Sequence, residues 1–217
     1  MIVAIDGPAG AGKSSVARAV AGRLGFAHMD TGAMYRAITL AAISGRIDLM
    51  DQRQLEAAVG AIEMDLDSAI VKLGGEDVTA RLRTTDVTDA VSAVAAQPMV
   101  RAALVPLQKE IARDHDVVVE GRDIGTVVFP DAEVKIYLTA SAQERVRRRM
   151  RQLGDSIDGS TLEDEIRARD TADASRPLSP LQQAPEAHRI DSTEMTLDEV
   201  TDAIVELVTH HLEDGRR

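Results

Sequence analysis

Near its start the chain reads Ile2-Val3-Ala4-Ile5-Asp6-Gly7-Pro8-Ala9-Gly10-Ala11-Gly12-Lys13-Ser14. The first four of these residues form a short apolar, mostly β-branched run, which predicts a buried strand. Gly7 to Ser14 fit the pattern G-x-x-x-x-G-K-[ST]. Apolar residues then recur at helical spacing as far as Gly25, where a helix should end. A strand, a glycine-rich loop and a helix in this order predict a loop that binds nucleotide phosphates.

Each residue type in this loop has a physical reason. The glycines let the backbone bend so that successive N–H groups point at one anion. The helix that follows places the positive end of its dipole at the same point. The Lys13 ammonium can reach the β- and γ-phosphates, and the Ser14 hydroxyl can ligate Mg²⁺. The loop indicates binding of a nucleoside triphosphate without indicating what is done with it.

Strand and helix patterns alternate along most of the chain. We expect strands at 26–29, 117–119, 134–138 and 189–191 and helices at 32–44, 99–112, 141–153 and 161–173. A capping box at Thr196 and Glu199 should open a last helix. This alternation predicts a three-layer α/β fold, in which helices cover both faces of a parallel central sheet.

The pattern changes between residues 48 and 95. A short helix at 54–61 is followed by alternating apolar residues from 62 to 66 and from 70 to 73, with Gly74-Gly75 after them. These features predict a small antiparallel sheet. Such an insert is a candidate subdomain for substrate recognition, and a decorative insertion fits the same pattern.

Composition excludes several classes of protein. The 217 residues contain 25 Lys and Arg against 36 Asp and Glu, giving a net charge of −11, and no Cys. Without cysteine there is no disulfide framework, zinc-thiolate site, iron–sulfur cluster or thiol nucleophile. An acidic chain is a poor general binder of nucleic acids or anionic membranes, and no apolar run reaches the ~20 residues of a membrane span. We expect a cytoplasmic protein with an aliphatic core.

Arginine dominates the basic residues, and its planar fork can bind a phosphate with two hydrogen bonds. Four arginines are candidate ligands for the phosphates or the acceptor: Arg36, Arg122, Arg169 and Arg176. Arg122 follows the predicted strand 117–119 and should lie at the carboxyl edge of the sheet, where α/β folds bind ligands. Asp123 could orient Arg122, accept a hydrogen bond from a base amino group, or lie near the metal. Each arginine, taken singly, could equally be a solvated surface charge.

Residues 145–151 carry five arginines on several faces of the predicted helix 141–153, so some must face solvent. The turn 154–159 then leads into the predicted helix 161–173. Two such helices suit a lid that closes over phosphates and excludes water, with Arg145, Arg148 and Arg149 as the candidate contacts. A soluble helical hairpin fits the same pattern.

The chain has no Asn. It therefore cannot contain the Asn-Lys-x-Asp motif with which GTPases of this fold class recognise guanine. A small nucleotide or metabolite kinase is the best remaining class.

Three segments are more specific than the phosphate loop. They are Asp6 to Ser14, Asp30-Thr31-Gly32-Ala33-Met34-Tyr35-Arg36, and Glu120-Gly121-Arg122-Asp123-Ile124-Gly125-Thr126-Val127-Val128-Phe129-Pro130-Asp131. Together they closely resemble the bacterial cytidylate (CMP) kinases. Residues 169–176 and 191–193 resemble that family as well, so the likeness extends in the same order over nearly the whole chain.

This resemblance implies a single P-loop nucleoside monophosphate kinase domain over residues 1–217. Its NMP-binding region would lie at about 31–100, its lid at about 145–170, and its core in the remainder. The implied reaction transfers the γ-phosphoryl group of ATP to CMP or dCMP, with Mg²⁺, and yields ADP with CDP or dCDP. The resemblance further implies a monomer with no nucleic-acid or membrane partner.

The resemblance also assigns roles to residues of this sequence. ATP would be bound by Gly7, Pro8, Ala9, Gly10, Ala11, Gly12, Lys13, Ser14 and Ser15. The CMP phosphate would be held by Thr31, Arg36 and Arg122, and the cytosine edge would be read by Ser92, Arg101 and Asp123. Arg169 and Asp173 would contact the pentose or phosphate, with Arg176 in support. Lys13, Arg122 and Arg169 would be the catalytic residues.

Two other functions remain open at this point. One is a different P-loop kinase that acts on UMP, AMP or a metabolite such as shikimate or dephospho-coenzyme A. The other is a nucleotide-binding regulator without catalysis.

Overall fold

A computed structural model describes residues 1–66, 69–153 and 159–214. The chain divides into two compact units, the first formed by residues 1–27 and 115–217 and the second by residues 28–114. The turn predicted at 154–159 lies almost entirely outside the described residues.

In the part of the chain that the structure describes, eight strands form two sheets. They are β1 (Ile2–Asp6), β2 (Ala27–Asp30), β3 (Ile62–Met64), β4 (Val71–Leu73), β5 (Glu76–Asp77), β6 (Val117–Gly121), β7 (Val134–Thr139) and β8 (His188–Asp191). The larger sheet has the order β2-β6-β1-β7-β8. In it β1 pairs in parallel with β6 and β7, and β7 pairs in parallel with β8. The predicted parallel α/β fold is confirmed.

The described residues form eight α-helices, of which the last follows the final strand. They are α1 (Lys13–Leu24), α2 (Thr31–Ile43), α3 (Gln52–Gly60), α4 (Thr85–Ala95), α5 (Pro98–Ala112), α6 (Ala142–Leu153), α7 (Gly159–Ala174) and α8 (Leu197–Asp214). The helix ends agree with the local sequence signals. Gly25 caps α1 in the left-handed conformation, with φ of 69°. At α8 the Thr196 N–H donates to Glu199 at 2.8 Å and the Glu199 N–H donates back at 3.2 Å, so the capping box is confirmed.

The core of the first unit lies where α1 and α8 cover the central strands. Val3 and Ile5 of β1, Ile136 and Leu138 of β7 and Ile204 of α8 are fully or almost fully buried there. Val3 to Ile5 of β1 and Val117 to Val119 of β6 are apolar and buried at every residue, as strands covered on both faces require, whereas buried and half-buried residues alternate along β7. As the composition predicts, this core is aliphatic.

The second unit contains the predicted antiparallel insert. Strands β3, β4 and β5 pair antiparallel, and Gly74 and Gly75 form the β4–β5 turn with φ of 61° and 80°. A second core of Ala, Val, Leu, Ile and Met, joined by Tyr35, gathers the insert with α2–α5. Helix α4 was not predicted, although the spacing of Val87, Val91 and Val94 fits one helix face.

Among the described residues, no single helix has the length and hydropathy needed to cross a membrane. Only α4 and α5 taken together pass that test, and they meet at an angle of 96°. Their apolar side chains contribute to the second core.

The packing of α8 on the sheet gives a test of the first core. Ile204 is fully buried, so Ile204→Ala should lower the free energy of unfolding by about 3 kcal/mol, through lost burial and the cavity left behind. Denaturant unfolding monitored by circular dichroism measures this loss. The control is Glu206→Ala on the exposed face of the same helix, which should change stability by less than about 0.5 kcal/mol. A similar, small loss in both variants would contradict the assigned core.

Candidate active site

The loop between β1 and α1 is shaped by glycines. A Cβ at Gly7 would overlap the carbonyl oxygen of Leu138 in β7, and a Cβ at Gly10 would come within 3.1 Å of the Arg145 Cβ. Gly10 and Gly12 have φ of 76° and 95°, backbone angles that residues other than glycine rarely adopt. The loop therefore passes close to Leu138 of β7 and Arg145 of α6 on its way to the start of α1.

Lys13 is the first residue of α1 and is buried. Its ammonium donates a hydrogen bond of 2.8 Å to the Pro8 carbonyl, across the loop. Burial lowers the pKa of Lys13 well below its ordinary value, and the nearby charges of Arg122 and Arg169 lower it further. The carboxylates of Glu120 and Asp173 act in the opposite direction. Lys13 thus lies in a buried environment crowded with charges of both signs, in which burial contributes most to the lowered pKa.

Ser14 and Glu120 form a pair beside this lysine. The Ser14 hydroxyl donates to a carboxylate oxygen of Glu120 at 2.9 Å, and the Glu120 side chain is buried near the end of β6. Sequence reasoning assigned Ser14 but no role to Glu120. The sequence did contain an indication of Glu120, because this acidic residue directly follows the apolar strand residues Val117 to Val119. In the structure that strand pairs with β1, which leads into the phosphate loop. In the described part of the chain, no cluster of three or more His, Cys, Asp or Glu could hold a metal without a substrate.

The buried carboxylate of Asp173 interacts with the arginines predicted as ligands in the first unit. Asp173 is 1% exposed, accepts a hydrogen bond of 2.8 Å from Arg122 Nε, and forms an ion pair with Arg176. Burial alone would raise the pKa of Asp173, but Arg122, Arg176 and Arg169 outweigh it and hold the pKa below its ordinary value. The structure therefore brings these three arginines to one acid, in the electrostatic range of Lys13.

Asp123 is buried directly after this arginine-bearing edge of β6. The backbone then makes one wide helical turn, Ile124–Val128, in which the Phe129 N–H donates to the Ile124 carbonyl at 2.7 Å. The N–H groups of Ile124 and Gly125 both donate to the carboxylate of Asp6, each at 2.8 Å. Asp6, the last residue of β1, was not among the predicted site residues.

Two of the three candidate lid arginines bind the backbone of the phosphate loop. Arg145 donates to the Ala9 carbonyl at 3.1 Å and forms an ion pair with Asp170, whose other oxygen accepts the Ala9 N–H at 3.2 Å. Arg148 donates to the Ala11 carbonyl at 3.0 Å and to the Ser192 carbonyl at 2.6 Å. In this state both side chains support the loop from the side of α6.

Two other arginines of α6 form ion pairs within the helix itself. Arg147 and Arg151 are exposed and pair with Glu144, in line with the expectation that part of the run faces solvent. Arg149 also belongs to α6.

The second unit contains the other predicted residues. Asp30 caps α2, its carboxylate accepting the Ala33 N–H at 3.1 Å, and Arg36 reaches back to the same turn. A Cβ at Gly32 would lie 3.0 Å from both the Arg36 guanidinium and the Asp30 carboxylate, so a larger residue there would displace these side chains slightly. Thr31 opens the helix and is buried.

A second arginine of this unit lies against an aromatic ring. The Arg101 guanidinium of α5 lies 5.6 Å from the centre of the Tyr35 ring and is buried. Cations favour this position over an aromatic face. Ser92 is half-buried on α4.

Known proteins resemble this chain over its whole length. The model of the family described as cytidylate kinase matches residues 3–210. A protein named cytidylate kinase from Solibacter usitatus is 45% identical, the match covering 100% of this chain and 95% of the relative. Another of that name from Mycobacterium leprae is 49% identical, covering 96% and 95%.

The fold also has a counterpart among solved structures. An uncharacterized protein from Eubacterium ventriosum, 14% identical, superposes with a TM-score of 0.54 over 97% of this chain and 98% of that one. This likeness concerns the fold alone. The family match and the full-length relatives agree with the phosphate loop and the arginine cluster described above, and the chain belongs to the cytidylate kinase family.

Proposed function

We propose that this chain is a cytoplasmic, monomeric enzyme of pyrimidine metabolism that transfers the γ-phosphoryl group of ATP to CMP or dCMP, with Mg²⁺, and yields ADP with CDP or dCDP. One observation carries the proposal beyond family membership. Lys13, Arg122, Arg169 and Arg176 meet around Asp173 at the end of the parallel strands. Such a cluster suits two phosphate-bearing substrates better than one.

ATP would bind through the loop from Gly7 to Ser15. The N–H groups of the loop and the first turn of α1 would receive the β- and γ-phosphates, and Lys13 would leave the Pro8 carbonyl to reach them. The negative charge of the phosphates would raise the lowered pKa of Lys13 and keep its ammonium protonated.

The residues present fit a magnesium ion. Mg²⁺ prefers oxygen ligands and is commonly held by one or two protein groups together with substrate phosphates. The Ser14 hydroxyl and the Glu120 carboxylate supply two such oxygens, 2.9 Å apart. When bound, the ion would neutralise charge on the phosphates of ATP.

CMP would be recognised by its phosphate and its base edge. Thr31, Arg36 and Arg122 would hold the phosphate, and Ser92, Arg101 and Asp123 would read cytosine. Arg169 and Asp173 would contact the pentose or phosphate, with Arg176 in support. The ion pairs of Asp173 favour this assignment, because they fix the Arg122 and Arg176 side chains before CMP arrives.

Phosphoryl transfer from ATP to CMP requires little covalent chemistry from the protein. CMP supplies an anionic oxygen, so no general base is needed. Lys13, Arg122 and Arg169 would align the acceptor oxygen with the γ-phosphate and stabilise the charge that develops between them. Arg145, Arg148 and Arg149 would shield the phosphates from the side of α6.

A panel of acceptors tests the reaction as a whole. ADP release from ATP is measured with CMP, dCMP, UMP, AMP and shikimate, each over a saturation curve. We expect CMP and dCMP to have the highest kcat/KM. ADP release independent of any acceptor, or highest with a non-pyrimidine acceptor, would contradict the proposal.

Lys13→Ala should lower kcat by about a thousandfold or more, because the ammonium at the γ-phosphate is lost. The fold should survive, as checked by circular dichroism. Lys72→Ala, which removes an exposed lysine of β4, is the control and should leave kcat unchanged. A Lys13→Ala enzyme with normal turnover would refute the mechanism.

Asp123→Ala should relax the preference for cytosine over uracil. A carboxylate can accept a hydrogen bond from the cytosine amino group, and uracil has a carbonyl at that position, so the alanine variant loses more rate with CMP than with UMP. The measurement is the CMP/UMP ratio of kcat/KM in both enzymes. An unchanged ratio would remove Asp123 from base recognition.

Glu120→Gln should raise the Mg²⁺ concentration needed for half-maximal rate, by about tenfold, because a charged oxygen near the ion is lost. Rates are measured at fixed ATP over a range of Mg²⁺. Glu133→Gln, an exposed acid at the opposite end of the sheet that accepts the Ile2 N–H, is the matched control. Superimposable Mg²⁺ curves for Glu120→Gln and wild type would argue against Glu120 as part of the site.

A further inference from the structure

Asp6 joins two segments that are far apart in sequence. It ends β1 immediately before the phosphate loop, and its carboxylate accepts the N–H groups of Ile124 and Gly125, 118 and 119 residues away, at 2.8 Å each. Those two residues directly follow Arg122 and Asp123. One carboxylate thus connects the start of the phosphate loop to the backbone that carries two candidate CMP ligands.

The two N–H groups are the first of a helical turn and have no partner within it. Asp123 stands at the capping position of this turn, but its side chain makes no capping hydrogen bond. The cap comes instead from Asp6 on a neighbouring strand. Because a buried N–H without an acceptor is destabilising, the position of the turn depends on this carboxylate.

Burial of Asp6 has its own cost. Only 4% of the residue is exposed, and burial raises the pKa of its carboxyl to about 6, even though the two N–H groups act against the rise. The charged and titratable groups that face it are Lys13 of α1, Asp123, Lys135 and Tyr137 of β7. The two hydrogen bonds of this carboxylate lead to the backbone after Asp123 and not to a neighbouring strand.

We propose that Asp6 is a positioning residue for CMP, whose carboxylate fixes the backbone after Asp123 and thereby orients Arg122 and Asp123 toward the nucleotide. The inference rests on the roles proposed above for those two residues. In this role Asp6 acts through the backbone after Asp123 and not by contact with a substrate. Its effect should therefore be seen in CMP binding and base preference more than in the use of ATP.

The test compares Asp6→Asn with Glu133→Gln. The carboxamide keeps one acceptor oxygen but turns an NH₂ group toward the second N–H, so the turn shifts. We expect Asp6→Asn to raise KM for CMP by about tenfold and to lower the CMP/UMP ratio of kcat/KM by about fivefold, with KM for ATP changed by less than about threefold. Glu133→Gln replaces a carboxylate that also accepts a strand N–H, at 2.8 Å, and should change each constant by less than about twofold.

Two results would overturn the proposal. One is an unchanged KM for CMP and an unchanged CMP/UMP ratio in folded Asp6→Asn. The other is a parallel loss with both substrates and a lowered Tm, which is the signature of a purely structural residue.

Amide hydrogen exchange of the wild-type enzyme without ligands gives a test that needs no variant. The Ile124 and Gly125 amides should exchange slowly, and exchange as fast as that of exposed loop amides would refute the cap.

Comparing Asp6→Asn with Asp123→Ala distinguishes a failure of the positioning role of Asp6 from a failure of the base-reading role of Asp123. If Asp123→Ala leaves the CMP/UMP ratio unchanged while Asp6→Asn raises KM for CMP, the base-reading role of Asp123 fails and Asp6 acts through Arg122. If Asp123→Ala relaxes the preference and Asp6→Asn does nothing, the positioning role of Asp6 fails alone.

Discussion

Repulsion among crowded cations is the constraint on which this site depends. Lys13, Arg122, Arg169 and Arg176 must be close together before any phosphate is present, and burial makes their repulsion stronger. The fold offsets it with acids placed among them. Asp173 holds two of the arginines directly, and Glu120 stands beside Lys13 and Ser14. The arginines around Asp173 are thus held in place in the absence of ligand, so that binding of the proposed nucleotides would not have to order them.

The acidic residues behind the net charge of −11 occupy two kinds of environment, exposed helix surfaces and buried positions beside arginines. An acidic chain is a poor partner for nucleic acid, and much of the acidic excess lies on exposed helix surfaces. Two acids, however, are buried among arginines: Asp173 with Arg122 and Arg176, and Glu144 with Arg148. Their negative charge fixes the orientation of the arginines around them.

Sequence reasoning reached the parts of the molecule that local chemistry determines. The phosphate loop, the glycine end of α1, the capping box of α8 and the antiparallel insert follow from short-range patterns, and the structure confirms them. Helix α4 was missed because threonines and valines in its sequence also suit a strand, although its apolar spacing was helical. The link from Asp6 to Ile124 and Gly125 could not be predicted, since nothing near Asp6 indicates partners more than a hundred residues away. Glu120 was accessible in principle, as the acid that ends a buried strand.

The two arginines of α6 that bind the loop have a thermodynamic consequence. Arg145 and Arg148 leave the same helix three residues apart and donate to the Ala9 and Ala11 carbonyls, on either side of Gly10. A change in the orientation of α6 would alter the backbone of the loop that we propose binds the phosphates of ATP. Nucleotide affinity and helix orientation are therefore linked, and linkage is reciprocal. Any contact elsewhere on α6 that favours one orientation shifts the affinity for ATP, and ATP shifts the strength of that contact by the same free energy.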